Sequence, residues 1–219
     1  MAGNARLRIG ILGAARIAPH ALLRPARSVP ELEVLAVAAR DEGRARRFAA
    51  RHGIARVHAG YAELLADPEL DAVYNPLPNG LHCEWTIRAL EAGKHVLCEK
   101  PLAANADEAR RMVRSGRITC SLFSTSLLRL EARVVGDAGE MRVTNPIAPH
   151  FFHRLRVRTQ AGRSTEQVAG EASYTHQLRA FARAVQQGER VPTDGAHGVA
   201  NMTVIDAIYR KAGLRPRGT

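Results

Sequence analysis

The chain has 219 residues, of which 46% are hydrophobic, so it is long enough to bury the core of one or two globular domains. Its formal net charge is +11, from 32 Lys and Arg residues against 21 Asp and Glu residues. These basic residues are scattered along the chain rather than gathered in blocks, and aromatic residues make up only 5%. We therefore expect a solvated basic surface that attracts anionic ligands, and no nucleic-acid partner.

The cysteines and the apolar runs indicate the cellular compartment in which the protein is expected to lie. The chain has three cysteines, Cys83, Cys98 and Cys120. Their number is odd and they form no Cys-x-x-Cys pair, which favours a reduced, cytoplasmic protein. Residues 1–8 lack the apolar core of a secretory signal, and no apolar run is long enough to span a bilayer. We expect neither a membrane partner nor a bound metal.

Strands and helices alternate in the first half of the chain, which predicts an α/β fold with a parallel sheet covered by helices on both faces. The predicted strands are 7–12, 33–38, 57–59, 72–75 and 95–98. The predicted helices begin near residue 16 and otherwise cover 42–51, 62–66, 81–92 and 106 to about 114.

Several residues mark the ends of these helices. Asp41 is suited to cap the second helix, and Gly53 to end it. Pro25 should end or kink the first helix. Asn105 and Glu108 form an Asn-x-x-Glu capping box before the last one.

The turn after the first strand has the pattern of a phosphate-binding loop. Gly13 can make the tight turn, whereas Ala15 and Ala18 occupy the second and third glycine positions of the Gly-x-Gly-x-x-Gly pattern. A methyl group at Ala15 should hold a phosphate slightly further from the backbone. By itself the pattern is equally consistent with an ordinary buried strand and turn.

Ligands of such sheets bind at the carboxyl ends of the strands, so the residues that follow each strand matter most. Arg40 follows the second strand, where an arginine can accept the 2′-phosphate of NADP, and this favours NADP over NAD. The alternative is that Arg40 is one solvated arginine among many. A proline-stiffened loop follows the fourth strand, and its Asn79 is suited to cap the next helix.

Three stretches together resemble the Gfo/Idh/MocA oxidoreductases, namely 10–18, 76–82 and 92–102, and the resemblance is continuous from about residue 8 to 112. It implies a Rossmann domain that binds NAD or NADP. It also implies oxidation or reduction of a carbinol carbon in a sugar, polyol or dihydrodiol. The glycine turn is similar to that of the dihydrodiol- and xylose-dehydrogenase-like branch.

The resemblance implies a catalytic role for Lys100, at the substrate hydroxyl or the nicotinamide, and a cis bond before Pro101. His82 lies near the nicotinamide by the same resemblance, although a structural histidine at a helix start is an equal alternative. The cofactor-binding residues that we expect are Gly13, Ala14, Ala15, Arg16, Ile17, Arg40, Leu77, Pro78, Asn79, His82, Glu99, Lys100 and Pro101.

Physical chemistry supports Lys100 independently, because it directly follows the fifth strand at the ligand edge of the sheet. Removing a hydride from a carbinol requires loss of the hydroxyl proton, and a nearby lysine can relay that proton or stabilise the alkoxide. The alternative is a surface lysine paired with Glu99. Cys98 is better interpreted as a buried thiol than as a nucleophile.

The second half predicts a different architecture. Alternating apolar and charged residues predict antiparallel strands at 128–134, 140–144, 152–158 and 164–168, with a hairpin turn at 136–139. Two helices follow, at 174–187 and from about 195 to 212. These features resemble the C-terminal part of the family's substrate domain. We therefore predict a Rossmann domain at 1–115 and, at 116–219, a truncated α+β domain that is the remnant of the substrate and oligomerisation domain.

The two resembling halves meet at residues 114 and 115, where family members carry a long additional segment. That segment usually supplies the last Rossmann strand and an acid–base pair. We therefore expect an exposed sheet edge and impaired catalysis in this short form. The alternative is a non-catalytic dinucleotide-binding or interaction module. A homo-oligomer through the second sheet is also consistent with the pattern. His176 is a candidate for a replacement base, and Tyr174 is better interpreted as core.

Overall fold

The computed structural model describes residues 6–115, 119–120, 131–145, 152–167, 170–191 and 193–219. They form two compact units, one with the described residues up to 122 and from 178 onward, the other with those from 123 to 177. This division differs from the boundary at 115 that the sequence predicts. The last part of the chain returns to the first unit, where the buried Asp206 carboxylate accepts a hydrogen bond of 3.0 Å from the Ala106 backbone.

The first unit contains a six-stranded parallel sheet in the order β3-β2-β1-β4-β5-β6. The chain moves outward from β1 in one direction and then returns to pair β4 on its other side. This reversal opens a crevice at the carboxyl ends of β1 and β4, where ligands of such sheets bind. The strands are β1 (Leu7–Leu12), β2 (Leu32–Ala38), β3 (Arg56–His58), β4 (Ala72–Asn75), β5 (His95–Cys98) and β6 (Thr119–Cys120).

The central strands are apolar because helices cover both of their faces. Ile9, Ile11, Val73 and Val96 are each at most 1% exposed. The expectation that the sheet ends at the fifth strand is wrong, because Leu97 and Cys98 pair with the two residues of β6. The free N–H and C=O groups along an open edge favour such pairing by even a short extended segment.

The helices of the first half are α1 (Arg24–Ala26), α2 (Glu42–His52), α3 (Tyr61–Ala66), α4 (Asn79–Glu91) and α5 (Ala106–Ser115). Asp41 caps α2 by accepting a hydrogen bond of 2.5 Å from the Arg44 backbone, and Gly53 ends the helix with φ 70°. The capping residue Asn105 accepts a hydrogen bond of 2.9 Å from the Glu108 backbone. The predicted cap and end of α2 are confirmed. The capping box at α5 forms only in part, because the Glu108 carboxylate accepts a hydrogen bond of 3.0 Å from the Ala104 backbone rather than from the Asn105 backbone.

Two helix starts differ from the sequence prediction. The first helix begins at Pro19 rather than near residue 16, as a π-helical turn (Pro19–Leu23) that continues into α1 and ends after Pro25. A proline fits the first turn of a helix because its missing N–H needs no partner there. Asn79 does not cap α4, because the helix already includes it and the preceding Pro78 is the capping position.

The second unit contains an antiparallel sheet in the order β10-β9-β8-β7. The hairpin predicted at 136–139 is confirmed, since β7 and β8 pair directly across it. The strands are β7 (Glu131–Gly136), β8 (Gly139–Thr144), β9 (Arg154–Thr159) and β10 (Gly162–Glu166). The last helices of the chain are α6 (Ser173–Gln187), which begins in the second unit and continues into the first, and α7 (Gly195–Lys211), which belongs to the first unit. The parts of the predicted strands at 128–130 and 168 lie outside the described residues. No helix among the described residues has the length and apolarity needed to cross a membrane.

Candidate functional site

The turn after β1 brings the backbone close to the loop after β4. Gly13 adopts φ 97°, a conformation that side chains other than hydrogen rarely tolerate, and its N–H donates to the Ala38 carbonyl at 2.6 Å. A Cβ atom at Gly13 would lie only 3.0 Å from Cδ2 of Leu77. The glycine therefore serves both the tight turn and the close approach of the Leu77 side chain.

A cleft of about 710 Å³ opens at the carboxyl ends of β1, β2 and β4, and we call it the nucleotide cleft. Six of the expected cofactor-binding residues line it, namely Gly13, Ala14, Ala15, Arg40, Leu77 and Pro78. Its other lining residues are Ala39, Asp41, Arg44, Tyr61, Pro76 and Leu81. An apolar floor with a few convergent polar groups is typical of a site that holds a nucleoside.

The electrostatics of the nucleotide cleft favour an anion. Arg40 is exposed at its rim, at the end of β2, and the N-terminus of α2 adds the positive end of a helix dipole. Arg44 joins them from the first turn of α2, and its Nη2 atom donates to the Ala14 carbonyl at 2.8 Å. The Asp41 carboxylate at the same rim is already occupied in capping α2. These residues fit the adenosine half of a dinucleotide that carries a 2′-phosphate.

Sequence reasoning missed Arg44 and Tyr61. Arg44 lies three residues after the cap Asp41. The sequence signal for it was its place in the first turn of a helix that begins directly after a strand, because such a turn lies at the ligand edge of the sheet. Tyr61 begins α3 directly after β3, so it belongs to the same edge of the sheet. Its ring, 9% exposed, packs edge-on against Trp85 at a centroid distance of 4.9 Å.

His82 joins the loop after β4 to the loop after β5. It is only 1% exposed, and its Nε2 atom lies 2.6 Å from the Leu77 carbonyl oxygen while Nδ1 lies 2.9 Å from that of Pro101. Burial lowers the pKa of His82, although these carbonyl oxygens and the charge of Glu99 oppose the shift. Such a ring holds the two loops together, which favours the structural alternative for this residue.

Glu99 organises the end of β5. Its carboxylate is 5% exposed and accepts hydrogen bonds from the Tyr74 hydroxyl at 2.6 Å and from the Lys100 backbone at 3.2 Å. The Glu99 backbone N–H donates to the Asn75 carbonyl at 3.0 Å. The Lys100–Pro101 peptide is cis, as the resemblance implies. The carboxylate therefore shapes the loop that presents Lys100.

Lys100 is half-buried at the carboxyl end of β5. Glu99 contacts its backbone rather than its amine, and the described part of the chain offers Lys100 Nζ no ion pair. The amine is thus available to a ligand, in contrast to the alternative of a lysine paired with Glu99. Cys98 is fully buried, as expected of a structural thiol.

The other expected residues lie outside the lining of the nucleotide cleft. Arg16 is exposed and lines a neighbouring groove, and Ile17 is half-buried. Asn79 is half-buried in the first turn of α4, and Pro101 is half-buried in the loop after β5. In the second unit Tyr174 is buried and His176 is exposed. Among the residues that the structure describes, no three His, Cys, Asp or Glu side chains are grouped to hold a metal ion.

Comparisons with known proteins agree with this geometry. Residues 7–119 match the model of the Gfo/Idh/MocA oxidoreductase family, described as having an NAD-binding Rossmann fold. A dTDP-3,4-didehydro-2,6-dideoxy-alpha-D-glucose 3-reductase from Saccharopolyspora spinosa is 40% identical over 168 residues, which are 71% of this chain and 50% of that protein. D-xylose 1-dehydrogenase (NADP(+)) 2 from Haloferax volcanii is 51% identical over 102 residues, which are 47% of this chain and 31% of that protein.

A similar solved structure is that of a 3-ketoreductase from Actinomadura kijaniata with NADP and TDP-benzene. It aligns with a TM-score of 0.80 at 20% identity, over 96% of this chain and 98% of that one, and shows the shared fold. The chain spans between about a third and a half of the length of these curated relatives. Because the family model matches more than half of the chain, the chain belongs to the Gfo/Idh/MocA family of oxidoreductases with an NAD-binding Rossmann fold.

Proposed function

We propose that this chain binds a nicotinamide dinucleotide in the nucleotide cleft and prefers NADP to NAD. The observation that carries the proposal is that Arg40 and Arg44 line the same cleft as the Gly13 turn. Two guanidinium groups beside a helix N-terminus suit the 2′-phosphate, whereas the free ribose of NAD offers them no charge. The names of the Haloferax dehydrogenase and of the solved 3-ketoreductase structure, which include NADP, support the same preference.

We propose as the reaction the oxidation or reduction of a carbinol carbon in a sugar, polyol or dihydrodiol. The names of the relatives, a dTDP-sugar reductase and a xylose dehydrogenase, support this substrate class. The nicotinamide, when bound, supplies or accepts the hydride. In the oxidising direction Lys100 Nζ, as the neutral amine, takes the hydroxyl proton, and in the reducing direction the ammonium returns it. This amine has no ion-pair partner in the described part of the chain, so it is free to reach the substrate.

Catalysis in this short form is proposed to be impaired. General acid–base chemistry works best when a second group receives or positions the proton. His82, whose ring contacts the Pro101 carbonyl beside Lys100, is already held between two carbonyl oxygens. The same observation favours the alternative function, a non-catalytic dinucleotide-binding module. In both cases the nucleotide cleft is used, and the two functions differ only in turnover.

The test of cofactor binding is a calorimetric or fluorescence titration with NADPH and NADH. A hydrogen bond from Arg40 to a phosphate should contribute about 1.5–3 kcal/mol, a preference of roughly ten- to a hundredfold for NADPH. Arg40→Ala should reduce the preference, whereas the matched control Arg46→Ala, an exposed arginine paired with Glu42 outside the cleft, should not. Equal affinities for the two cofactors in the unmodified chain would overturn the proposed preference.

A further inference from the structure

One face of the second sheet collects arginines. The register of the four strands brings residues two apart on each strand to the same side, and directly opposed residues share that side. The positions of this side form what we call the arginine face. Its six arginines are Arg133 on β7, Arg142 on β8, Arg154, Arg156 and Arg158 on β9, and Arg163 on β10.

Several of these arginines are directly opposed to one another. Arg142 pairs in register with Arg133 on one side and with Arg156 on the other, and Arg158 pairs with Arg163. Opposed residues of neighbouring antiparallel strands have their Cβ atoms about 4.5–5.5 Å apart, and like charges at that distance destabilise the sheet. An isolated sheet therefore gains nothing from this arrangement, whereas an anionic partner would relieve the repulsion.

The carboxylates of the sheet neutralise only part of this charge. Glu140 accepts hydrogen bonds from Arg133 at 2.7 and 3.0 Å and from Arg142 at 3.5 Å. Arg154, Arg156, Arg158 and Arg163 are exposed and have no ion pair with any residue that the structure describes. Three of them, together with Arg142, line a depression of about 430 Å³.

We propose that the arginine face binds the phosphate backbone of duplex DNA, through charge and without reading the bases. Four strands about 4.8 Å apart are wider than the roughly 12 Å major groove, so the face lies across the phosphates rather than entering the groove. None of the paired positions that make up the arginine face is aromatic, so the face lacks the stacking platform that selects single-stranded DNA. A second copy of the same face would bring like charges together, which disfavours a homo-oligomer through this side.

The proposal departs from the expectation, made from the sequence alone, that the chain has no nucleic-acid partner. The basic residues are scattered along the chain, but alternation along β9 sends every second residue to the same face. Register then adds the arginines of three other strands to that face. A patch can thus form from residues that are never adjacent in sequence.

The experiment is fluorescence anisotropy of the full chain with a labelled DNA duplex of random sequence and with one of its single strands, repeated over a range of salt concentrations. The test variant is the double substitution Arg156→Gln and Arg158→Gln. The control is Arg114→Gln with Arg210→Gln, which removes the same charge from two exposed helical arginines of the first unit that have no ion pair in the described residues. Circular dichroism confirms that both variants are folded.

We expect the unmodified chain to bind the duplex more tightly than the single strand, and its affinity to fall steeply with salt. In a plot of log affinity against log salt concentration, each phosphate contact contributes a slope of about −0.9. The slope for the test variant should therefore be shallower by about two, and its affinity at low salt should be at least roughly tenfold weaker. The control should retain nearly all of the affinity. Equal losses in both variants, an unchanged slope, or no salt-dependent binding of the unmodified chain would overturn the proposal.

Discussion

The Nδ1 atom of His82 lies 2.9 Å from the carbonyl oxygen of Pro101, across the gap between two loops of the ligand edge. A neutral imidazole has one N–H and can donate to only one of the two carbonyl oxygens that flank this ring. The ring thus couples the loop that lines the nucleotide cleft to the loop that carries Lys100. Its protonation state bears on both stability and ligand binding.

The first prediction concerns the pH dependence of stability. Burial lowers the pKa of His82 in the folded chain below the unfolded value of about 6.5, so folding favours the neutral ring. The stability this contributes is present above about pH 6.5 and is lost as the pH falls below it. His82→Gln should flatten the decline in the free energy of unfolding between about pH 7 and pH 5, as measured by urea denaturation.

The control for this prediction is His20→Gln, which changes an exposed histidine. Burial also lowers the pKa values of His52 and His95, so the slope of the unmodified chain is shared and only the difference between variants is informative. If the free energy of unfolding declines equally with pH in the unmodified chain and in His82→Gln, the pH dependence arises from other residues.

The second prediction concerns Asp67, which follows directly after α3 and is 6% exposed. Burial raises its pKa, but hydrogen bonds from Arg56 at 2.6 Å, from the Glu69 backbone and from His58 outweigh this and lower the pKa to about 2. Ionised Asp67 therefore contributes about 2 kcal/mol to stability above pH 4, and this contribution is lost as the pH falls toward 2.

We expect Asp67→Asn to be less stable by about 2 kcal/mol at neutral pH and to lose less stability on acidification, by chemical denaturation. Asp107→Asn is the matched control, because its partner Arg110 is exposed and such a pair contributes little. If both substitutions cost the same at neutral pH, the network around Asp67 is not the source of the acid sensitivity.

Much of the fold and part of the site follow from local sequence patterns. Gly13 and Arg40 were predictable because the order of strands decides which residues reach the carboxyl edge, and the family resemblance implied Leu77 and Pro78. The carbonyl partners of His82 were not, because hydrogen bonds between loops depend on three-dimensional packing. The return of the C-terminal helix to α5 rests on a contact between residues 100 positions apart, which no periodicity indicates.

The third prediction concerns Gly13. A Cβ atom there meets Leu77 at 3.0 Å, and φ 97° is unfavourable for alanine, so Gly13→Ala must shift the turn or the loop. We expect at least a tenfold loss of NADPH affinity in the titration described above, and a lower melting temperature. Gly136→Ala is the control, because a Cβ atom there meets no other atom within 4 Å. NADPH affinity equal to that of the unmodified chain would remove the turn from the cofactor site.

The fourth prediction separates the two roles of Arg44. Its guanidinium holds the Ala14 carbonyl and lines the nucleotide cleft, so Arg44→Gln removes a cation from the expected position of the 2′-phosphate. We expect NADPH affinity to fall roughly tenfold and NADH affinity to fall by a much smaller factor. The control Arg46→Gln changes a neighbouring arginine that pairs with Glu42 on the exposed side of α2. Equal losses for both cofactors would mean that Arg44 only supports the turn through Ala14.

The fifth prediction concerns turnover. Lys100 is the proton-handling candidate proposed above, and its amine has no ion pair among the described residues. General acid–base assistance is typically worth about 10²–10⁴ in rate. We therefore expect the chain to bind cofactor yet to oxidise or reduce sugars, polyols and dihydrodiols far more slowly than a full-length relative.

The measurement is the change in NADPH absorbance across a panel of these substrates. Lys94→Ala is the control, because the Lys94 amine is bound to the carbonyl oxygens of Asp67 and Leu70. Any residual rate should disappear in Lys100→Ala while cofactor affinity remains measurable, which separates a chemical role from a role in binding. Turnover equal to that of the relative, and abolished by Lys100→Ala, would show that this chain assembles a complete catalytic site.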